Sequence, residues 1–225
     1  MDISYEIYQL NTRSYRFSNF IYIIIDKTTR NALIVDPAWE LNIIVDKLNQ
    51  LDAALQGILL THSHYDHVNL VAPLEGLFNP YVYMSKAEID YYGFRCNNLQ
   101  AINDLDKISV GETMVTCMHT PGHTAGGVSY LLQDSIFTGD TIFIEGCGIC
   151  NSWGGLPEQM FESIQRVKSS VSPHVRVYPG HSYGKAPGHT LQYLMRENIY
   201  FQIDNKEDFI RWRMRKNQTG LFDFK

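Results

Sequence analysis

The stretch THSHYDHVNL at residues 61–70 puts His62, His64, Asp66 and His67 within six residues. All four side chains can ligate a metal. The segment follows Gly57-Ile58-Leu59-Leu60, which reads as a short buried strand. Just past the end of that strand, residues two apart can point the same way, so His62 and His64 can reach one ion. Asp66 and His67 fall at the start of a helix and project elsewhere. The four ligands are therefore expected to divide between two ions. This constrains the fold, because the missing ligands must come from other strand ends that converge on this one.

Three Pro-Gly-His triplets are candidates. Those ending in His123 and His181 follow strands expected over residues 113–118 and 175–178, and both histidines are taken as ligands. The third ends in His189 and runs into a helix that Thr190 can cap, so His189 is read as a loop or surface residue. Phe137-Thr138-Gly139-Asp140 closes a further strand, and a carboxylate such as Asp140 can bridge two cations about 3.5–4 Å apart. The sum is five histidines and two aspartates at strand ends. His119 and His174 carry no motif, although the role of outer partner to a ligating imidazole is open to His119. Asp36 reads equally well as support for the ligand loop and as the first residue of an Asp-Pro turn.

Elsewhere, residues 20–26 and 32–35 form a hairpin, and strands are expected at 80–84, 128–133 and 135–137. Helices are expected at 39–51, from about 68, from 85, and at 157–169, 190–198 and 206–216. This order fits an α/β (α+β) chain in which two mixed sheets pack face to face with helices outside. One domain over residues 1–225 is expected, ending in a short helical segment from about 188. With 44% hydrophobic and 12% aromatic residues, the chain can build a true core.

A net charge of −5 and a pI near 5.9 exclude a broad nucleic-acid surface. The apolar run at residues 20–25 is far too short to span a bilayer, and no secretion signal is expected. Cys96, Cys117, Cys147 and Cys150 do not resemble a disulfide framework, which points to a reducing cytoplasm. Cys147 and Cys150 form a CxxC that lacks the second pair of a structural zinc site, and their role is left open.

Taken together, THSHYDH, PGHT, FTGD and the later PGH resemble the metallo-β-lactamase superfamily over residues from about 20 to 185. The resemblance implies a four-layer αβ/βα sandwich with two metals between the sheets. It assigns His62, His64 and His123 to the first metal and Asp66, His67 and His181 to the second, with Asp140 bridging them. The ions implied are two zinc ions, with iron or manganese as substitutes. A hydroxide bridging the two ions, with Asp66 and Asp140 as the catalytic carboxylates beside it, would attack an acyl carbon.

Gly139-Asp140-Thr141-Ile142-Phe143 and Glu145-Gly146-Cys147-Gly148 are similar to the glyoxalase II branch, which hydrolyses acyl thioesters of glutathione. By that likeness Tyr183, after His181 and Ser182, faces the thiol arm of the substrate. A thiolate leaves without protonation because free thiols have a pKa near about 8.5. The branch carries a basic residue and then an aromatic after Gly146-Cys147-Gly148, where this chain has Ile149, Cys150 and Asn151. Its glycine pair after the ligand loop is replaced by Asn69 and Leu70. Over its whole length the chain resembles the glyoxalase-II-like zinc hydrolases of bacillaene-type polyketide synthesis. That likeness implies an acyl thioester substrate on the phosphopantetheine arm of an acyl carrier protein. Hydroxyacylglutathione hydrolysis and lactone hydrolysis are the alternatives.

The basic stretch Arg211-Trp212-Arg213-Met214-Arg215-Lys216 has two readings. It is a docking patch for an acidic carrier protein, or a solvated helix face in which Glu207 pairs with Arg211. A B1-type β-lactamase is disfavoured because such enzymes have Cys where Asp140 stands. A one-iron dioxygenase would use only three of the seven ligands. A metal-stabilised scaffold without activity would have no need of them all.

Overall fold

A computed structural model describes residues 2–15 and 17–215. β1 (Tyr5–Ser14) and β2 (Phe17–Asp26) pair antiparallel along their full length, with Tyr5 opposite Asp26. In β2 alternate side chains leave on opposite faces: Phe20, Tyr22 and Ile24 join one apolar cluster, and Ile21, Ile23 and Ile25 join another. A strand buried on both sides needs a layer over each face. β3 (Asn31–Val35) continues the hairpin, with Tyr22 opposite Val35. β4 (Ala54–Leu59), β5 (Tyr81–Ser85) and β6 (Leu99–Ile102) then add in parallel. Their crossovers are α1 (Leu41–Gln50), the pair α2 (Tyr65–Val68) and α3 (Val71–Phe78), and α4 (Lys86–Tyr92). Ile44, Leu48, Leu70 and Leu74 come from these crossovers to cover Ile21, Ile23 and Ile25.

The second sheet begins with the antiparallel run β7 (Lys107–Val110), β8 (Thr113–His119), β9 (Val128–Leu131) and β10 (Ser135–Gly139). A two-residue ribbon follows, β11 (Ile142–Phe143) with β12 (Gly146–Cys147). α5 (Pro157–Ser170) then leads to β13 (Arg176–Pro179), which is parallel to β10, and to the edge strand β14 (His189–Thr190). α6 (Leu191–Glu197), α7 (Ile199–Gln202) and α8 (Lys206–Arg213) close the described chain.

Three apolar clusters account for four layers. Tyr22, Leu33, Val115, Tyr130 and Phe137 fill the space between the sheets. Ile136, Val177, Met160, Ile164, Leu194 and Phe209 fill the space between the second sheet and α5, α6 and α8. The expected sandwich of two mixed sheets with outer helices is the fold observed. No helix among the described residues is long and apolar enough to cross a membrane.

Several boundaries differ from expectation. β1 has no counterpart in the sequence reading, because as an edge strand it is only partly buried and lacks a clean alternation. β6 and β7 are four-residue strands, too short to show a period. The helix expected from about residue 68 is two helices: α2 is a single turn that starts right after His64, and Leu70 donates its N–H to the Pro37 carbonyl at 3.3 Å before α3 begins. Thr190 does cap α6, accepting the Tyr193 N–H at 3.3 Å. His189 lies in β14 rather than in a loop, its ring 4.3 Å from that of Tyr193 between centroids. The helix expected to 216 ends at Arg213, and Lys216 lies outside the described residues.

Candidate metal centre

The ends of β4, β8, β10 and β13 meet at one edge of the sandwich, and backbone hydrogen bonds tie their loops together. Val128 donates to the Thr61 carbonyl at 2.9 Å, Gly180 to Gly139 at 2.9 Å, and Phe20 to Gly180 at 2.8 Å. All seven residues expected as ligands gather at this edge.

His62 Nε2 lies 3.1 Å from His64 Nδ1, which lies 3.0 Å from His123 Nε2. On the other side His67 Nε2 lies 3.3 Å from His181 Nε2, and Asp66 Oδ2 lies 3.6 Å and 3.2 Å from those two nitrogens. Asp140 joins the two groups. Its Oδ1 is 3.5 Å from His67 Nε2, while its Oδ2 is 3.6 Å from His123 Nε2 and 3.4 Å from His181 Nε2. Tetrahedral zinc with Zn–N of about 2.0–2.1 Å sets its ligand atoms roughly 3.3 Å apart. The donor set and its spacing therefore fit metal ions. Asp140 Oδ1 is buried without a hydrogen bond from the described residues, which is costly for a carboxylate unless a cation answers it.

The outward nitrogens fix which edge of each ring faces inward. His123 Nδ1 donates to the Ile149 carbonyl at 2.8 Å and His181 Nδ1 to the Ser18 carbonyl at 2.9 Å. His67 Nδ1 donates to Asp36 Oδ2 at 2.9 Å, and His62 Nδ1 to Thr61 Oγ at 3.0 Å. Thr61 Oγ in turn donates to Asp36 Oδ2 at 2.5 Å. Asp36 thus lies near His62 and His67 but holds the far edge of His67, so it supports the ligands and does not build a third site. It does so in the left-handed region, at φ 50°, where Asp is tolerated better than most residues. The role left open for Asp36 in the sequence is that of ligand support.

Burial, reinforced by neighbouring imidazoles, holds His62 well below the ordinary histidine range, and burial takes His123 down to about 4. His64 is lowered by burial as well. These three rings are neutral near pH 7, the form that binds metal. The other group is acidic. Burial opposes the charge on His67, but Asp66, Asp140 and Asp36 outweigh it and raise the ring to about 10. Against its own burial, Asp66 is held far below the carboxylate range by His67 and His181.

Glycine is required at one approach. A Cβ on Gly180 would stand 2.7 Å from both Asp140 Oδ1 and His67 Cε1. Gly180→Ala is expected to weaken metal binding about 10–100-fold, the range for displaced ligands and their supports. Competition against a chromogenic chelator measures it, and an unchanged affinity would mean that the ligands shift without loss.

Two residues central to the site carried no ligand motif. Asn19, 1% exposed, donates to the Asp66 carbonyl at 2.8 Å and to Asp66 Oδ2 at 3.3 Å, and it accepts the Trp39 indole N–H. Glu88, fully buried, accepts from the Ser63 N–H and hydroxyl at 2.8 and 2.7 Å and from the Gly126 N–H at 2.9 Å, bracing the ligand loop. Its only signal was Ser85-Lys86-Ala87-Glu88, a capping-box pattern. Ser85 does accept the Glu88 N–H, but the Glu88 carboxylate turns to the ligand loop instead of completing the box.

Among the described residues no hydrogen bond joins the His119 ring to an expected ligand, and its backbone N–H donates to Asp104 at 2.9 Å. Tyr183 does reach the site, stacked on Phe143 with centroids 4.4 Å apart, and burial pushes its hydroxyl up to about 12. Within residues 211–215 it is Arg213 that departs from the exposed face expected of this stretch. Arg213, 5% exposed, is part of the cavity wall, donating to the Gly148 carbonyl at 2.8 Å and to the Tyr200 hydroxyl at 3.2 Å. Arg211 pairs with Asp208, not Glu207. Arg215 lies 3.9 Å over the Trp212 ring. Cys147 and Cys150 are buried free thiols beside Arg213, and burial holds Cys150 up at about 11.

Against the metal-facing atoms lies a cavity of about 340 Å³. Phe143, Tyr183, Tyr200 and Trp212 give it apolar walls, and Arg213 and Arg215 make one part of it cationic.

Comparison with known proteins agrees with this geometry. Residues 15–181 match the family model described as metallo-beta-lactamase superfamily. The chain is 58% identical to the probable polyketide biosynthesis zinc-dependent hydrolase PksB of Bacillus subtilis, covering 100% of each chain. It is 55% identical to the probable polyketide biosynthesis zinc-dependent hydrolase BaeB of Bacillus velezensis, again over 100% of each. The crystal structure of ETHE1 from Myxococcus xanthus superposes with a TM-score of 0.83 at 28% identity, over 93% of this chain and 91% of that one. Both Bacillus relatives are named as zinc-dependent hydrolases, and the histidine and aspartate clusters here are able to hold such ions. By sequence match, fold and ligand geometry, the chain belongs to the metallo-β-lactamase superfamily.

Proposed function

We propose that this protein is a binuclear zinc hydrolase of polyketide biosynthesis that cleaves acyl thioesters on the phosphopantetheine arm of an acyl carrier protein. The observation that carries the reading is Asp140, whose two oxygens lie within 3.6 Å of nitrogens from both histidine groups at the foot of the cavity. His62, His64 and His123 would hold one ion and Asp66, His67 and His181 the other, with Asp140 between them. When bound, two such ions supply an activated water and polarise an acyl carbonyl. The protein's own part is orientation: Asp36, Thr61, Asn19 and the carbonyls of Ile149 and Ser18 fix the ligands. Tyr183 and Phe143 present an apolar wall to the thiol arm.

The carrier arm is favoured over glutathione by how charge reaches the cavity. Where the glutathione hydrolases carry a basic residue after the Gly-Cys-Gly turn, this chain has Ile149, whose carbonyl is engaged by His123. Cationic charge comes instead from Arg213 and Arg215 at the chain's C-terminal end, and a phosphodiester-bearing arm is the chemistry Arg215 suits. The full-length likeness to PksB supports the same choice. Four free thiols fit a reducing cytoplasm.

The test is a paired hydrolysis rate for one acyl group on glutathione and on a phosphopantetheinylated carrier protein. A kcat/KM about tenfold or more higher for the carrier, roughly 1.4 kcal/mol of transition-state binding, is expected. Preference for glutathione would return the protein to hydroxyacylglutathione hydrolysis. If neither is cleaved, the thioester reading fails and lactones are next.

A further inference from the structure

The metal-site cavity shares His64 with a second cleft, of about 440 Å³, lined also by Ser63, Tyr65, Tyr92, Phe94, Ser152 and Trp153. That volume is within the range of small-molecule sites. Apart from His64 no titratable or charged side chain but tyrosine lines it, whereas the metal-site cavity has Arg213 and Arg215. Two of its rings are unusually open for aromatic residues: Tyr65 is 73% exposed and Trp153 70%.

These rings are nonetheless braced. The Tyr92 hydroxyl donates to the Trp153 carbonyl at 2.8 Å and accepts the Ala125 N–H at 3.2 Å. The Tyr92 and Trp153 rings meet edge to face at 5.0 Å, and Tyr91 packs on Trp153 at 5.3 Å. Gly154 adopts φ +80°, and a Cβ there would strike the Tyr92 hydroxyl at 1.9 Å, so the loop carrying Trp153 is seated closely on α4. Tyr65 is propped edge-on against Trp39 at 5.9 Å. Of the two serine hydroxyls nearby, that of Ser63 is turned away, donating to Glu88 at 2.7 Å, and that of Ser152 is buried. Fixed, exposed and uncharged aromatic faces beside a reactive centre are a surface prepared for apolar contact.

We propose that this cleft is the acyl-chain subsite and that it takes an extended apolar acyl chain, which lies between Tyr65 and the Tyr92–Trp153 pair. The inference rests on the thioester reading above. A thioester carbonyl has two unlike substituents, a polar thiol arm and an acyl chain, and His64 stands where two cavities of matching chemistry meet. The arm enters the cavity that holds Arg215, and the chain passes His64 into the aromatic cleft.

The experiment compares acetyl and decanoyl thioesters of N-acetylcysteamine on metal-replete protein. Trp153→Ala is expected to lower the decanoyl-to-acetyl ratio of kcat/KM tenfold or more, chiefly through KM for the decanoyl ester. Trp153→Phe is expected to recover much of that ratio. Leu77→Ala, which removes another exposed apolar side chain, from α3, is expected to leave the ratio as in the unaltered protein. An unchanged ratio in Trp153→Ala would overturn the subsite while leaving thioester hydrolysis standing. If the unaltered protein cleaves neither ester, the thioester reading and the subsite fall together.

Discussion

Replacing Asp140 with Ala is expected to lower kcat about 10³-fold, on the order of 4 kcal/mol of transition-state stabilisation, and to reduce bound metal from two ions per chain to one. Asp140 lies within 3.6 Å of nitrogens from both groups, its Oδ2 facing His123 and His181 and its Oδ1 facing His67. His62, His64 and His123 are neutral and complete a three-nitrogen set without it. The first ion should therefore be retained, more weakly. The second set would keep one carboxylate, Asp66, and lose one of the negative charges that face His67. Asp140→Asn keeps the shape and removes the charge, and it should behave like Asp140→Ala if bridging charge is what matters. Zinc per chain by elemental analysis and kcat on a single thioester are the two readouts. Two ions retained with kcat within about tenfold would refute the bridging role.

The residues that converge on the candidate metal centre were legible because each stands in a short motif at the end of a buried strand. A buried strand shows as an apolar run, and a Pro-Gly turn shows as itself. What supports the ligands was much less visible. Asn19 sits near the start of β2, where its neighbours Phe20 and Ile21 read only as strand. It becomes a partner of Asp66 through a contact 47 residues away in sequence, and no local pattern records that. Glu88 carried a helix-capping signature, and tertiary structure reused its carboxylate.

Arg213 misled for the opposite reason. Clustered cations look like surface, yet α8 turns Arg213 inward to the carbonyl of Gly148, which a local reading of charge could not reveal. Arg and Lys are almost never fully buried without partners, so the exposed reading was the reasonable one. The same contact brings a cation to the Gly148 turn from another element. Sheet order was legible only in part. β2 and β3 announced a hairpin, whereas β1 and β6 are partly exposed edge strands whose place depends on partners.

Asp36→Ala is expected to cost about 3–5 kcal/mol of stability, because each buried donor left without an acceptor costs roughly 1–3 kcal/mol. Three are involved: the Thr61 N–H at 2.7 Å, the Thr61 hydroxyl at 2.5 Å and the His67 ring N–H at 2.9 Å. For a chain of this length the loss corresponds to a fall in Tm of about 10 °C or somewhat more. Asp36→Asn separates holding the fold from positioning the ligands. Its carbonyl oxygen can still accept from the Thr61 N–H, so the stability loss should be smaller. Its amide, however, would donate towards His67 Nδ1 where the carboxylate accepted. That favours the tautomer with the proton on Nε2, the nitrogen that faces Asp66, Asp140 and His181. Binding of the second metal should then weaken about 10–100-fold, as for other lost partners of ligating imidazoles. Thermal melts of metal-free protein and chelator competition read the two effects independently. If Asp36→Asn weakens metal binding no more than its loss of Tm predicts, Asp36 is a structural brace alone. If affinity falls while the fold holds, it sets the proton on His67 and, through Thr61, the ring of His62.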